Sequence, residues 1–316
     1  MSLEFAAIRA AHDRIRPHIH RTPVLTSARL DAACGGALFF KCENFQKVGA
    51  FKARGATNAV LALDDATAKH GVVAHSSGNH GAALARAARL RGIDAHIVMP
   101  SDSSKVKVRA VEGYGGRVTF CEPTPAARQA ICAQVMAATG GTLIHPFENE
   151  EVMAGQGTAM IELLEDIGDL DLIVTSVGGG GLLAGTAVAA KHLRPGMKVM
   201  GTEPENVSDA AQSLRAGHLV TPPKAHTIAD GLRGNLGQPN FAVFQRYVDG
   251  IVTVSEESIV TAMRAIWETM KIIVEPSAAV PYAAILEKKL EVNGRRVGII
   301  ISGGNLDLDA LPWVKS

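Results

Sequence analysis

Residues 172–190, LIVTSVGGGGLLAGTAVAA, constrain this chain more than any other stretch. The run carries no charge and is long enough to cross a bilayer. It also holds four consecutive glycines, Gly178 to Gly181, and a fifth at Gly185. A membrane helix with that much glycine would be poorly specified, and no second apolar span accompanies it. A buried strand, a turn and a buried helix explain the run better. The same alternation recurs along the chain. Strands are expected at 38–41, 72–75, 95–99, 117–121, 172–177, 198–202, 250–254 and 297–301. Helices are expected at 81–91, 125–139, 152–167, 182–192 and 256–271, with a further one beginning near Lys52. Several strands are apolar throughout, as parallel strands covered on both faces should be. The expectation is an α/β fold with open, twisted, mostly parallel sheets flanked by helices.

Length and composition narrow the class. At 316 residues the chain allows one large or two modest domains. There is no internal repeat, low-complexity segment or Pro/Ser-rich linker, so two domains can be interleaved in sequence. Apolar residues make up 47% and aromatics only 4%, which gives a core of Ala, Val, Leu and Ile and argues against disorder. Lys plus Arg number 32 against 31 Asp plus Glu, without charge blocks. Nothing therefore marks a nucleic acid or an anionic membrane as partner. Cys34, Cys42, Cys121 and Cys132 form no CxxC pair, which reads as free thiols in a reducing cytoplasm. The opening MSLEFAAIRAAHDRIR carries acidic residues and no apolar stretch before a cleavage site, unlike a signal peptide.

In open α/β sheets, ligands sit beyond the carboxyl ends of the strands. Three loops fall there: HSSGNHG (75–81), SVGGGGLLAG (176–185) and ISGGN (301–305). Gly178 to Gly181 let successive N–H groups converge, and the helix start adds partial positive charge, which makes a phosphate cradle. Close backbone packing would explain one or two glycines but hardly four. The loop is neither GxGxxG nor GxxxxGK[ST], so the dinucleotide and P-loop fingerprints are missing. Ser76 to His80 end a strand and open a helix, where they would either bind an anion or simply cap the helix. Lys52 beside Phe51 is a candidate for a desolvated amine suited to Schiff-base chemistry, although most lysines are solvated surface charges.

Taken together and in order, these segments resemble the fold-type II pyridoxal-phosphate (PLP) enzymes, the tryptophan synthase β-like fold. The similarity lies with the serine racemase and serine/threonine dehydratase branch, which includes 3-hydroxyaspartate dehydratases. IHRTPVLTSARL (19–30), FFKCENFQKVGAFKARGATNAV (39–60), HSSGNHGAALA (75–85), HPFENEEVMAGQGT (145–158), SVGGGGLLAG, TEPENVSDA (202–210), IADGLRGNLG (228–237), WETMKIIVEPSAA (267–279) and ISGGN carry it over almost the whole length. Two departures are small: Ala50 stands where Ser is usual, and Phe147-Glu148 occupy a variable position. The resemblance implies a large domain of residues 1–64 and 150–316, with a small domain, 71–148, inserted and the cofactor between them. The chain stops soon after SGGN, without the C-terminal regulatory domain of longer threonine dehydratases.

Residue by residue, the resemblance implies that Lys52 forms the internal aldimine. Gly178, Gly179, Gly180, Gly181 and Leu182 would surround the phosphate, and Phe51 would pack on the ring. Asn79 would bond the ring 3-hydroxyl, and Ser302 would face the pyridine nitrogen. Ser76, Ser77, Asn79 and His80 would hold the substrate carboxylate. A serine does not enforce a protonated pyridinium as a carboxylate does, so the ring is a weaker electron sink. That suits prompt β-elimination from a hydroxy amino acid, giving a 2-oxo acid and ammonia, with Lys52 taking the α-proton. Racemisation needs a second base on the other face, and Ser77 is the candidate. Glu203, Asp209 and the carbonyl of Val207 match a segment that binds Mg²⁺, Mn²⁺ or Ca²⁺, where the plainer reading is a solvated turn and helix start. A homodimer and a small amino acid substrate are further implications.

The leading expectation is a PLP-dependent ammonia-lyase (dehydratase) acting on serine, threonine or 3-hydroxyaspartate. An amino acid racemase (serine or aspartate) on the same scaffold is the nearest rival, and a non-catalytic phosphate-binding protein the remote one. A β-replacing synthase shares the fold but not these lysine and substrate-loop patterns. A 3-hydroxyaspartate substrate would need one more cation in the pocket, for which Arg128, Arg233 and His145 are candidates.

Overall fold

The structure, a computed structural model, describes residues 3–76, 78–222 and 226–313. Its strands are β1 (Val24–Leu25), β2 (Ala37–Cys42), β3 (Val72–His75), β4 (Ala95–Pro100), β5 (Arg117–Cys121), β6 (Thr142–Leu143), β7 (Leu172–Ser176), β8 (Lys198–Pro204), β9 (Gly250–Val254) and β10 (Arg296–Ile301). They form one sheet in the order β1-β2-β10-β7-β8-β9 and a second in the order β5-β4-β3-β6. Every pairing is parallel except β1 with β2. The smaller sheet is drawn entirely from residues 72–143 and the larger from 24–42 and 172–301.

The reason is legible strand by strand. All five residues of β7 are buried, and β10 buries every residue after Arg296. Such strands are stable only with helices on both faces. The charge-free run at 172–190 divides as its glycines suggest, into β7, a loop and the buried helix Gly181–Leu193. No helix among the described residues is long and apolar enough to cross a membrane. The four cysteines are free thiols.

The Lys52–Ala62 helix packs against Asn79–Arg91 on one side and Glu150–Ile167 on the other. Glycine permits the second contact: a Cβ on Gly155 would lie 2.6 Å from the Cα of Gly55. Below this helix lies a fully buried ionic network. The Arg54 guanidinium bonds Glu43 (2.7 and 2.8 Å), Glu162 (2.8 and 2.6 Å) and the Thr158 hydroxyl (3.1 Å). Lys41 Nζ donates to the Thr22 carbonyl at 2.8 Å and pairs with Glu162 at 2.7 Å. Two cations and two carboxylates cancel. Against the opposing pull of burial, the Arg54 and Lys41 contacts hold the Glu162 carboxyl down at about 2. The helix that carries Lys52 is thereby anchored from beneath.

Candidate active site

A cavity of about 610 Å³ opens where the carboxyl ends of β3, β4, β7 and β10 converge, as parallel α/β sheets favour. Lys52 enters it from the start of its helix. Its amine lies 5.1 Å from the Phe51 ring centroid and donates to the Pro146 carbonyl at 2.7 Å. No carboxylate pairs with it among the described residues, and desolvation lowers its pKa to about 8. A much larger fraction of neutral amine is therefore present near neutrality than for an ordinary lysine.

Across the cavity, Gly178–Gly181 connect β7 to the next helix. Gly180 adopts φ +96°, and the helix it precedes has no side-chain cap. A Cβ on Gly179 would sit 2.2 Å from the Phe147 ring. The Gly179 carbonyl is fixed by the Gly237 N–H at 3.1 Å and Asn240 Nδ2 at 2.6 Å. This is a tight, uncapped helix start, suited to a phosphate. Leu182 lines the same wall. Ser302, 3% exposed, has a buried hydroxyl with no hydrogen-bond partner among the described residues, while its carbonyl accepts from the Phe51 N–H at 2.9 Å. A buried orphan hydroxyl calls for a ligand atom.

The SSGNH segment divides its labour. The Ser76 hydroxyl accepts from the Gly78 and Gly81 N–H groups at 3.3 and 3.2 Å, so it serves the helix start. Ser77 lies outside the described residues. Asn79 bonds Glu275 and Asn305. His80 is buried, its Nε2 2.9 Å from the Ile144 carbonyl, which fixes the proton there. Burial and the nearby Lys52 charge push His80 down to about 3, so its ring stays neutral; its Nδ1 has no partner among the described residues. An anion at this loop would meet main-chain N–H groups rather than an imidazolium.

Of the expected pocket cations, the structure separates three. Burial, with His75 and Lys52 nearby, lowers His145 to about 4, which removes it as a cation. Arg233 lines the cavity but turns Nε and Nη2 onto the Thr227 carbonyl at 3.2 and 2.7 Å. Arg128 lines the cavity with a buried Nε that has no partner among the described residues, and its charge is felt by His75.

Several residues that carry the site had no sequence signal of their own. Glu275, 4% exposed, is pushed up to about 7 by burial and Asp230. Lys107, from the smaller sheet's side, pairs with Asp230 across the cavity. The HPF turn holds the Lys52 amine through Pro146 and packs Phe147 on the glycines. Only contact across the fold reveals these roles.

Glu203, fully buried, accepts the Ala210 and Ala211 N–H groups at 3.2 and 2.8 Å. Asp209 accepts the Leu236 N–H at 2.6 Å. Burial and the Asp209 charge raise the Glu203 carboxyl well above its ordinary value. Val207 sits in the turn between them. No cluster of three or more His, Cys, Asp or Glu side chains with metal-binding geometry occurs among the described residues.

The family model for pyridoxal-phosphate-dependent enzymes matches residues 15–303. The chain belongs to that family. The beta-hydroxyaspartate dehydratase of Paracoccus denitrificans is 48% identical over 96% of each chain. The serine racemase of Arabidopsis thaliana is also 48% identical, over 98% of this chain and 95% of its own. The solved structure of maize serine racemase superposes with a TM-score of 0.96 at 44% identity, covering 98% of this chain and 95% of that one. The two-sheet architecture is that of the fold-type II PLP enzymes, and the chemistry of the residues present fits PLP: an uncapped glycine-rich helix start suits a phosphate and a desolvated lysine suits an aldehyde.

Proposed function

We propose that this chain is a dehydratase (ammonia-lyase) of β-hydroxy amino acids, with 3-hydroxyaspartate as its preferred substrate. The observation that carries the preference is Arg128, a pocket guanidinium with a buried donor and no carboxylate partner among the described residues. A second substrate carboxylate would satisfy it, and serine or threonine would leave it unpaired. The name of the Paracoccus denitrificans relative supports the same reading.

PLP, when bound, supplies the electron sink that acidifies the substrate's α-proton. In this reading Lys52 provides the amine that attaches the cofactor and then carries the α-proton on Nζ. Phe51 packs on the ring, Gly178–Gly181 and Leu182 cradle the phosphate, and Ser302 donates or accepts at the ring nitrogen. Asn79 faces the ring hydroxyl. The helix start at Ser76–His80 orients the α-carboxylate, and Arg128 the second one. Loss of water from the substrate and hydrolysis of the released enamine give a 2-oxo acid and ammonia. Residues 1–64 and 150–316 form the large domain and 71–148 the small one, and Lys107 with Asp230 ties them together.

Racemisation is the second reading, favoured by the serine racemase relatives, with Ser77 as the opposite-face base. At Glu203, Asp209 and the Val207 carbonyl the donor set suits a hard divalent cation. Because Asp209 holds Leu236, and Leu236 packs where a Gly180 Cβ would be, such a cation would buttress the phosphate loop. A cytoplasmic homodimer completes the proposal.

The test is kcat/KM for the 3-hydroxyaspartate isomers, D- and L-serine and L-threonine, with enantiomer interconversion followed in the same samples. Arg128→Met should lower kcat/KM for 3-hydroxyaspartate by about 10- to 100-fold while serine turnover changes little. Ser77→Ala should suppress interconversion more than dehydration of the L-substrate. Equal losses on serine and 3-hydroxyaspartate in Arg128→Met would overturn the substrate assignment.

A further inference from the structure

The polarity of the Asn79 amide can be worked out from its neighbours. The Val48 carbonyl can only accept, so the Asn305 side-chain atom 2.7 Å from it is Nδ2. The same Nδ2 lies 2.9 Å from Asn79, whose facing atom must then be the acceptor Oδ1. Asn79 Nδ2 consequently points the other way, 3.1 and 3.2 Å from the two oxygens of Glu275. Glu275 is itself fixed. Its Oε2 accepts the Asn305 N–H at 3.1 Å, and its own N–H donates to the Gly303 carbonyl at 3.0 Å. An inverted Asn79 amide would set donor against donor at Asn305 and, with Glu275 ionised, acceptor against carboxylate at Glu275. One N–H shared between two oxygens of one carboxylate leaves the second N–H of Asn79 for the cavity it lines.

We propose that Asn305 and Glu275 are positioning residues that lock Asn79 as a hydrogen-bond donor to the cavity, so that the cofactor's ring hydroxyl is held in its ionised form. The relay runs from Val48 through Asn305 and Asn79 to Glu275 and joins the HSSGNHG and ISGGN loops across the cavity. It rests on the reading above that the PLP ring lies against Asn79. A donor-only neighbour bonds an oxyanion more strongly than it bonds a neutral hydroxyl, and it offers the hydroxyl's proton no acceptor, so it favours the ionised form. The Asn305 amide is thus as much a part of the ring's environment as Asn79, without touching the ring.

The experiment is the absorption spectrum of the holoenzyme, because the hydroxyl-ionised cofactor absorbs at longer wavelength than the protonated form. Asn79→Ala sets the scale: the ratio of long- to short-wavelength bands should fall by about tenfold. Asn305→Asp presents acceptors only, so Asn79 must turn its Nδ2 towards residue 305 and its oxygen towards the ring. The ratio should fall comparably, with PLP binding about tenfold weaker, in protein that still unfolds cooperatively. Glu275→Leu, which removes the acceptor at the other end, should act in the same direction and serves if Asn305→Asp does not fold. Glu275→Gln retains an acceptor oxygen and should keep most of the ratio. A shifted spectrum in Asn79→Ala with unshifted spectra in Asn305→Asp and Glu275→Leu would overturn the relay and leave the cofactor placement standing. An unshifted spectrum in Asn79→Ala would mean that the ring does not face Asn79, and both would fall.

Discussion

On one helix, Arg54 donates to two carboxylates and a threonine hydroxyl, whereas Lys52, two residues earlier, meets a single carbonyl. Both lie against low-dielectric surroundings, and the consequence is opposite. Arg54 is held charged, because its partners outweigh desolvation, and Lys52 is lowered towards neutrality because it has no such partners. The same contrast separates the ionic network from the cavity wall. Beneath the helix, Lys41, Glu43, Arg54 and Glu162 satisfy one another. Above it, Ser302 Oγ, Arg128 Nε and His80 Nδ1 all lack partners among the described residues. Buried polar groups are ordinarily paired, so a cluster of unpaired ones facing one cavity marks where a ligand completes the structure.

The saturated side should break hardest. Glu162→Gln leaves Lys41 and Arg54 sharing a single buried carboxylate and should cost about 3–5 kcal/mol of stability, read by denaturant unfolding. Its pH dependence has a fixed sign. The Glu162 carboxyl is depressed from 4.5 to about 2 in the folded state, so its stabilisation is complete above pH 4.5 and is lost as the pH falls towards 2. That acid-labile component should be absent in Glu162→Gln. A stability loss under about 1 kcal/mol, the scale of an exposed pair, would mean that the network does not anchor the helix.

A smaller effect is expected at Glu203 and Asp209, an acidic pair in which burial and then the Asp209 charge raise Glu203. If a divalent cation completes this pair, Mg²⁺, Mn²⁺ or Ca²⁺ should raise the melting temperature by a few degrees and a chelator should lower it. Glu203→Gln should abolish the response. A wild-type response in that variant would locate the cation elsewhere.

How much of this was legible in the sequence follows from how local each signal is. Apolar runs and glycine punctuation were enough for eight strands, three of them end to end (β3, β5 and β9). The two-residue β1 and β6 were not, since two residues carry no periodicity. The glycine loop and Lys52 were visible because each sits in a distinctive local motif. Glu275 was not. A lone acid has no local pattern, and its partners Asn79 and Asn305 lie 196 and 30 residues away. Arg54 carries no signal beyond its place in the segment at 39–60, because its carboxylates come from residues 43 and 162. His145 looked like a cation until its burial was seen, since exposure cannot be read from residue type.

The most direct measurement follows capture of free PLP by the apoprotein across pH, trapping the adduct by borohydride reduction and locating it by peptide mass spectrometry. Only the neutral amine adds to the aldehyde. With Lys52 lowered from 10.5 to about 8, the capture rate should rise about tenfold per pH unit below 8 and level off above it. The adduct should map to Lys52, and Lys52→Ala should fold yet neither trap the cofactor nor turn over substrate. An adduct on another lysine, or a rate that climbs unbroken towards pH 10, would contradict the claim that this helix presents one deliberately unsatisfied amine to the cavity.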